Sequence, residues 1–162
     1  MKKISVIIPC YNDEKTIAPQ YEKVCEIFAS KLPKYDYEII FADDCSPDNT
    51  WNEICKVCAK DKKVKGVHNI ANFGVIRNLF SCLKYGVGDA VFMLMGDMQE
   101  PVDLLPEFIE HWEAGAMVTV GQKVKTNENF AKKISRKIYY YLISKFATKP
   151  QISNFTGYGL YD

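Results

Sequence analysis

The spacing of hydrophobic positions along this chain switches repeatedly between two periods. Ile4-Ser-Val-Ile-Ile8 is nearly continuous in apolar residues, as in a strand buried on both faces. From about Thr16 to Lys31 the period lengthens, and Val24, Ile27 and Phe28 fall on one helical face. Tyr37 to Ala42 predicts a second strand, and Thr50-Trp-Asn-Glu53 has the form of a capping box opening a helix to about Lys60. Val64 to His68 predicts a third strand, Val75 to Tyr85 a third helix, and Ala90 to Met95 a fourth strand. Pro101 suits the first turn of a helix running to about Glu113, which Gly115 ends. Met117 to Val120 predicts a fifth strand, and Asn129 to Phe146 a longer basic, aromatic helix. Lys123 to Asn129 has the composition of a flexible connection. Strand-like alternation returns in Phe155–Asp162 and stops without a cap or polar tail, the expectation for a chain cut from something longer. Alternating strands and helices predict one domain over residues 1–162, an α/β/α sandwich around a mainly parallel sheet.

Composition narrows the function classes. With 162 residues, 48% of them hydrophobic, the chain can bury a sizeable core and is unsuited to disorder. A net charge of +1 argues against bulk nucleic acid as the main partner. The longest apolar run, Ala90 to Met95, is far short of the roughly 20 residues that span a bilayer, and no signal peptide is visible. The six cysteines do not form a disulfide framework in a chain this large, and a reducing cytoplasm fits them best. Cys55-Lys-Val-Cys58 lacks the second pair or nearby His of a zinc site, so packing is the better account.

Polar chemistry gathers where ligands bind in such sheets, at the carboxyl ends of the strands. Pro9-Cys-Tyr-Asn-Asp-Glu14 follows the first strand, Asp43-Asp-Cys-Ser-Pro-Asp48 the second, and Gly96-Asp-Met-Gln-Glu100 the fourth. Each acidic run alone reads as turn or capping residues. Three at one edge favour a site, because converging carboxylates repel unless a cation or a donor-rich ligand lies between them. No GxGxxG turn or P-loop is present, so the phosphate of a ligand is expected to be held through a metal. Asn72-Phe-Gly74 reads as a turn leading into a helix.

These same runs resemble family 2 glycosyltransferases of the GT-A (Rossmann-like) fold. Val6-Ile-Ile-Pro-Cys-Tyr-Asn-Asp-Glu14 and Asp43-Asp-Cys-Ser-Pro-Asp-Asn-Thr50 match their opening. Asn72-Phe-Gly74, Gly88-Asp89, Asp97-Met-Gln-Glu-Pro101, Trp112-Glu-Ala-Gly115 and Val120-Gly121 resemble the polyprenyl-phosphate branch, that of dolichol-phosphate mannose synthase and its bacterial undecaprenyl-phosphate relatives. The resemblance implies inverting transfer of a sugar from a nucleoside-diphosphate sugar, with UDP favoured over GDP-mannose, to a polyprenyl phosphate lipid. Pro9, Tyr11 and Glu14 would line the nucleotide pocket, with Gly96 beside them, and Asp43 and Asp44 would meet the base or ribose. Asp97 and Gln99 would hold Mg²⁺ or Mn²⁺ against the diphosphate, and Lys123 would contact phosphate, making Asp97 and Lys123 the catalytic residues. Relatives continue into transmembrane helices, which implies work at the cytoplasmic face of the membrane; a homo-oligomer is left open.

The chain departs from the family at several of these positions. Met95-Gly96-Asp97 stands where many relatives carry Asp-x-Asp, so one metal-side carboxylate is missing. Ala71 and Lys123 replace arginines, and Lys keeps the charge but loses the bidentate fork. A lipid phosphate is already anionic and needs no general base, and neither His68 nor His111 is placed as one in the predicted elements. Residues 123–149 carry eight Lys or Arg and a single acid, Glu128, with Tyr139, Tyr140, Tyr141 and Phe146 among them. Such a helix can lie on an anionic membrane or pack on the sheet with a solvated Lys face. Two rival functions stay open: a hydroxyl acceptor served by a carboxylate such as Glu100, or a non-catalytic nucleotide-sugar-binding module.

Overall fold

The computed structural model describes residues 1–122 and 155–162. Two compact units are present, Met1–Thr119 with Tyr158–Asp162, and Val120–Gly157. In chain order the elements are β1 (Lys3–Cys10), α1 (Ile17–Ser30), β2 (Asp36–Asp43), α2 (Thr50–Lys60), β3 (Val64–His68), α3 (Val75–Leu83), β4 (Ala90–Met93), α4 (Leu105–Glu113), β5 (Val118–Gln122) and β6 (Phe155–Tyr161). The expected connection and basic helix between 123 and 146 lie outside the described residues. Among the described residues no helix is long and apolar enough to cross a membrane.

The strands form one sheet in the order β3-β2-β1-β4-β6-β5. β1 pairs parallel with β2 and β4, and β2 with β3, whereas β6 runs antiparallel to β4. The mainly parallel sheet is therefore as the β-α alternation predicts, and the terminal alternation from Phe155 is a strand inside it. Winding starts at β1, proceeds outward to β3, and returns to the other side of β1 with β4. That reversal opens a crevice between the carboxyl ends of β1 and β4.

Because β1 is buried on both faces, alternate residues feed two cores. Ile4, Val6 and Ile8 face the larger one, with Phe41, Phe92 and the apolar sides of α1, α2 and α4. Ile7 and Ile40 face the smaller one, which α3 covers with Cys82, Leu79 and Leu83. All six cysteines are free, consistent with packing roles, although Cys55 is exposed.

Several boundaries differ from the sequence pattern. Asn49, not Thr50, is the N-cap of α2, and the Thr50 hydroxyl donates to Asp48 Oδ1 at 2.6 Å while accepting the Asp13 N–H at 2.8 Å. Pro101 precedes a short 3-10 turn, Val102–Leu104, and Pro106 takes the first-turn position of α4. β4 ends at Met93 rather than Met95, although the Leu94 and Gly96 N–H groups still donate to the Ile7 and Pro9 carbonyls of β1.

On the smaller-core side a buried carboxylate ties three elements together. Glu38 Oε1 accepts the Ser5 hydroxyl at 2.7 Å and the Val87 N–H at 2.8 Å, and Oε2 pairs with Lys65 at 2.8 Å. Burial pushes the Glu38 carboxyl upward, but Lys65, the Val87 N–H, Ser5 and Lys3 outweigh it and hold it at about 2. Its stabilising contribution is present above the ordinary carboxyl value near 4.3 and is lost as pH falls through about 2. Glu38→Gln should therefore cost about 1–3 kcal/mol at neutral pH, with the difference from wild type shrinking in acid. Thermal melts at pH 7 and in the acid range check this; an unchanged difference would remove Glu38 as the acid-sensitive tie.

Candidate functional site

Three loops, after β1, β2 and β4, build a cleft of about 300 Å³ at the crevice where the winding reverses. That volume is at the small end of small-molecule pockets. Pro9, Tyr11, Asp13, Asp44, Gly96 and Asp97 line it, together with Asn72, Gly74 and Val75 from the entry to α3. One non-glycine residue in each loop adopts left-handed backbone: Asn12 (φ 60°), Cys45 (φ 59°) and Met98 (φ 57°). Such conformations cost on the order of 1 kcal/mol or more each and persist where surrounding bonds enforce them. Sequence reasoning had no local signal for Cys45 or Met98, as neither residue type favours that region.

The enforcing bonds run between loops. Asn12 N–H donates to Ser46 Oγ, Glu14 N–H to Asp48 Oδ2, and Asn49 N–H to Glu14 Oε2. These contacts zip the β1 loop to the start of α2. From α1, the fully buried Gln20 donates its amide to the Met95 carbonyl at 2.9 Å, which fixes the entry to the β4 loop. Gly96 then has no room for a side chain, because a Cβ there would meet the Asp13 carboxylate and lie 2.9 Å from Pro9 O.

The predicted site residues separate under this geometry. Pro9, Tyr11, Asp44, Gly96 and Asp97 come together around the cleft, with Tyr11 and Asp97 exposed to it. Glu14 is not among the lining residues, since its carboxylate is turned to Asn49. Asp43 is completely buried behind the cleft, accepting from Ser46 N–H and hydroxyl and bonded to His68 Nδ1 at 2.7 Å. Gln99 is exposed beyond the lining, and its N–H donates to Asp97 Oδ1 at 3.0 Å. Lys123 lies outside the described residues.

Asp44 is already engaged. Oδ1 accepts Asn69 Nδ2 at 2.8 Å and Phe73 N–H at 3.0 Å, and Oδ2 accepts Gly74 N–H at 2.7 Å. Gly74 has φ 86°, a conformation that favours glycine, and it begins α3. The Asn72-Phe-Gly turn is thus bound to β2 through one carboxylate, as its reading as a turn into a helix anticipates.

Asp13 is the site residue that sequence reasoning missed. It sits among polar loop residues indistinguishable in pattern from Asn12 and Glu14, yet its carboxylate enters the cleft beside Gly96. Burial pushes the Asp13 carboxyl upward; the Tyr11 N–H opposes this, and the charges of Asp97, Asp48 and Asp43 add to it. Two carboxylates facing one cleft suit a divalent cation that completes its shell with substrate oxygens, since magnesium often takes one or two carboxylates plus phosphates. No cage of three or more acidic, His or Cys side chains forms among the described residues. The donor set therefore fits a cation that arrives with an anionic ligand.

Comparison with known proteins places these residues in context. The family model described as glycosyl transferase family 2 matches residues 5–160. The bactoprenol glucosyl transferase of Shigella phage SfV is 33% identical over 156 residues, which cover 96% of this chain and 50% of that protein. The chain spans about half the length of the curated relatives it matches. Among solved structures, a mannosyltransferase from Pyrobaculum calidifontis in complex with GDP-Man and Mn²⁺ superposes with a TM-score of 0.60 at 22% identity, covering 81% of this chain and 38% of its own. S. aureus TarS in complex with UDP-GlcNAc gives 0.59 at 27% identity, covering 78% of this chain and 36% of its own.

The geometry of Asp44 makes a direct prediction. Asp44→Ala removes the acceptor of the Phe73 N–H and one of the two acceptors of the Gly74 N–H and of the Asn69 amide, which should cost about 1–3 kcal/mol. Hydrogen exchange at Phe73 and Gly74 should accelerate well beyond the global change. Equal protection in variant and wild type would show that the turn is held by other means.

Proposed function

Because the chain belongs to glycosyl transferase family 2, with the GT-A α/β fold, we propose that it binds a nucleoside-diphosphate sugar and transfers the sugar, with inversion, to a polyprenyl phosphate. The observation that carries this proposal is the pair of carboxylates, Asp13 and Asp97, facing a cleft whose other wall is Tyr11 and the Asp44-bound turn. The relative named as a bactoprenol glucosyl transferase supports the lipid phosphate acceptor, and the UDP-GlcNAc complex of TarS supports a UDP-sugar donor.

In this proposal Tyr11 stacks on the nucleobase, and Pro9 and Gly96 allow the nucleotide to approach the backbone. Asp97 would hold Mg²⁺ or Mn²⁺, with Asp13 as the second carboxylate facing the cleft and Gln99 next along the same loop. When bound, the cation supplies Lewis-acid neutralisation of the charge that develops on the departing diphosphate. Lys123 is assigned to a phosphate as a point charge. The acceptor oxygen is already anionic, so no side chain has to remove a proton from it, and the protein's task is to orient the two anions. The acceptor places the work at the cytoplasmic face of the membrane.

Calorimetry of UDP and GDP, with and without Mn²⁺, tests the donor half. UDP should bind in a Mn²⁺-dependent manner, and Asp97→Ala should weaken it by more than about tenfold. Binding indifferent to both metal and Asp97 would overturn the donor assignment. Incubation with undecaprenyl phosphate and a panel of sugar nucleotides should yield a glycosyl-phospholipid. Nucleotide binding with sugar passed only to a glycan hydroxyl, or to nothing, would reject the acceptor.

A further inference from the structure

The helix that enters beside the cleft presents a face that the soluble core does not use. Seven of the thirteen large apolar side chains exposed among the described residues fall between Ile70 and Val87. Ile70 is 92% exposed, and Ile76 and Phe80 are each 67% exposed. Ile76 and Phe80 are four apart on α3 and share one face, while the buried Asn78 and Cys82 supply the packed side, with Leu79 and Leu83 partly buried at its edge. Arg77 and Lys84, seven apart and therefore nearly in line, border the exposed apolar pair along one side.

Charge indicates what covers this face. From Ile70 to Gly88 the chain contains no Asp or Glu, and its charged side chains are Arg77 and Lys84. The acidic residues of this molecule gather instead at the strand ends and on the other helices. An apolar surface this concentrated is unusual for water and marks an interaction site. Protein partners for an apolar stripe do not require flanking cations, whereas an anionic bilayer does: apolar side chains enter the acyl boundary while Arg and Lys reach the headgroups. Tyr85, at the end of the helix and partly exposed, is of the aromatic type enriched at that boundary.

We propose that the exposed face of α3, centred on Ile76 and Phe80 and bordered by Arg77 and Lys84, docks on an anionic membrane surface. The N-terminal end of the same helix contributes Gly74 and Val75 to the cleft. Docking through α3 would therefore set the cleft rim against the bilayer, where a lipid-borne phosphate has to arrive. That consequence rests on the proposed acceptor; the docking itself does not.

Vesicle flotation of the whole 162-residue chain tests the inference. The probes are phosphatidylcholine vesicles and phosphatidylcholine–phosphatidylglycerol vesicles. Wild type should partition onto the anionic vesicles in preference. Ile76→Ser with Phe80→Ser, and separately Arg77→Glu with Lys84→Glu, should each reduce partition by roughly tenfold or more. Both variants should keep the wild-type circular dichroism and UDP–Mn²⁺ calorimetry, since none of the four side chains lines the cleft. Vesicle binding by both variants at the wild-type level would overturn the proposal, as would absence of binding by wild type. Patch-dependent dimerisation without vesicle binding would assign the face to a second copy and also overturn it. Failure of the nucleotide test with docking intact would strike the transfer reaction alone.

Discussion

Burying two adjacent carboxylates at the end of β2 is the constraint on which the site depends. Asp43 and Asp44 are both removed from water, and an uncompensated buried charge would be prohibitive. Each is instead surrounded by donors from a different part of the chain: Ser46 and His68 for Asp43, Asn69 and the Phe73 and Gly74 N–H groups for Asp44. Satisfying those charges therefore fixes the β2 loop, the end of β3 and the turn into α3 at once. The cleft inherits its back wall from this arrangement.

The front of the cleft follows a different logic. Asp97 is exposed and accepts the Gln99 N–H of its own turn, and Asp13 accepts the Tyr11 N–H. The charge of Asp97 adds to the upward push that burial gives the Asp13 carboxyl, and each of the three loops carries one left-handed residue. The contrast between carboxylates saturated by the protein and carboxylates facing open space separates framework from chemistry more clearly than acidity alone. Met95 gains a structural account here too, because its carbonyl, not its side chain, is what the buried Gln20 amide holds.

Charge is partitioned across the fold as well. The near-neutral total conceals an acidic edge at the carboxyl ends of the strands and an acid-free, cationic and apolar helix beside it. Both meet at Gly74 and Val75, where α3 joins the cleft.

Hydrophobic period determined the β-α succession, and with it the parallel core strands and the edge where the polar loops collect, while the family resemblance rested on the residue types of the motifs. Those are local properties, set by side-chain alternation and by residue types a few positions apart. The roles of neighbouring residues were decided only by the tertiary structure. Asp13 and Glu14 look equivalent in sequence, yet the left-handed Asn12 turns the chain so that one carboxylate enters the cleft and the other binds Asn49. Thr50 reads as a helix cap but serves as a bridge between loops, because the pairing of β1 with β2 brings the β1 loop against it. Which donor meets which carboxylate depends on loops that lie about 30 residues apart in the chain, and no local pattern encodes that pairing.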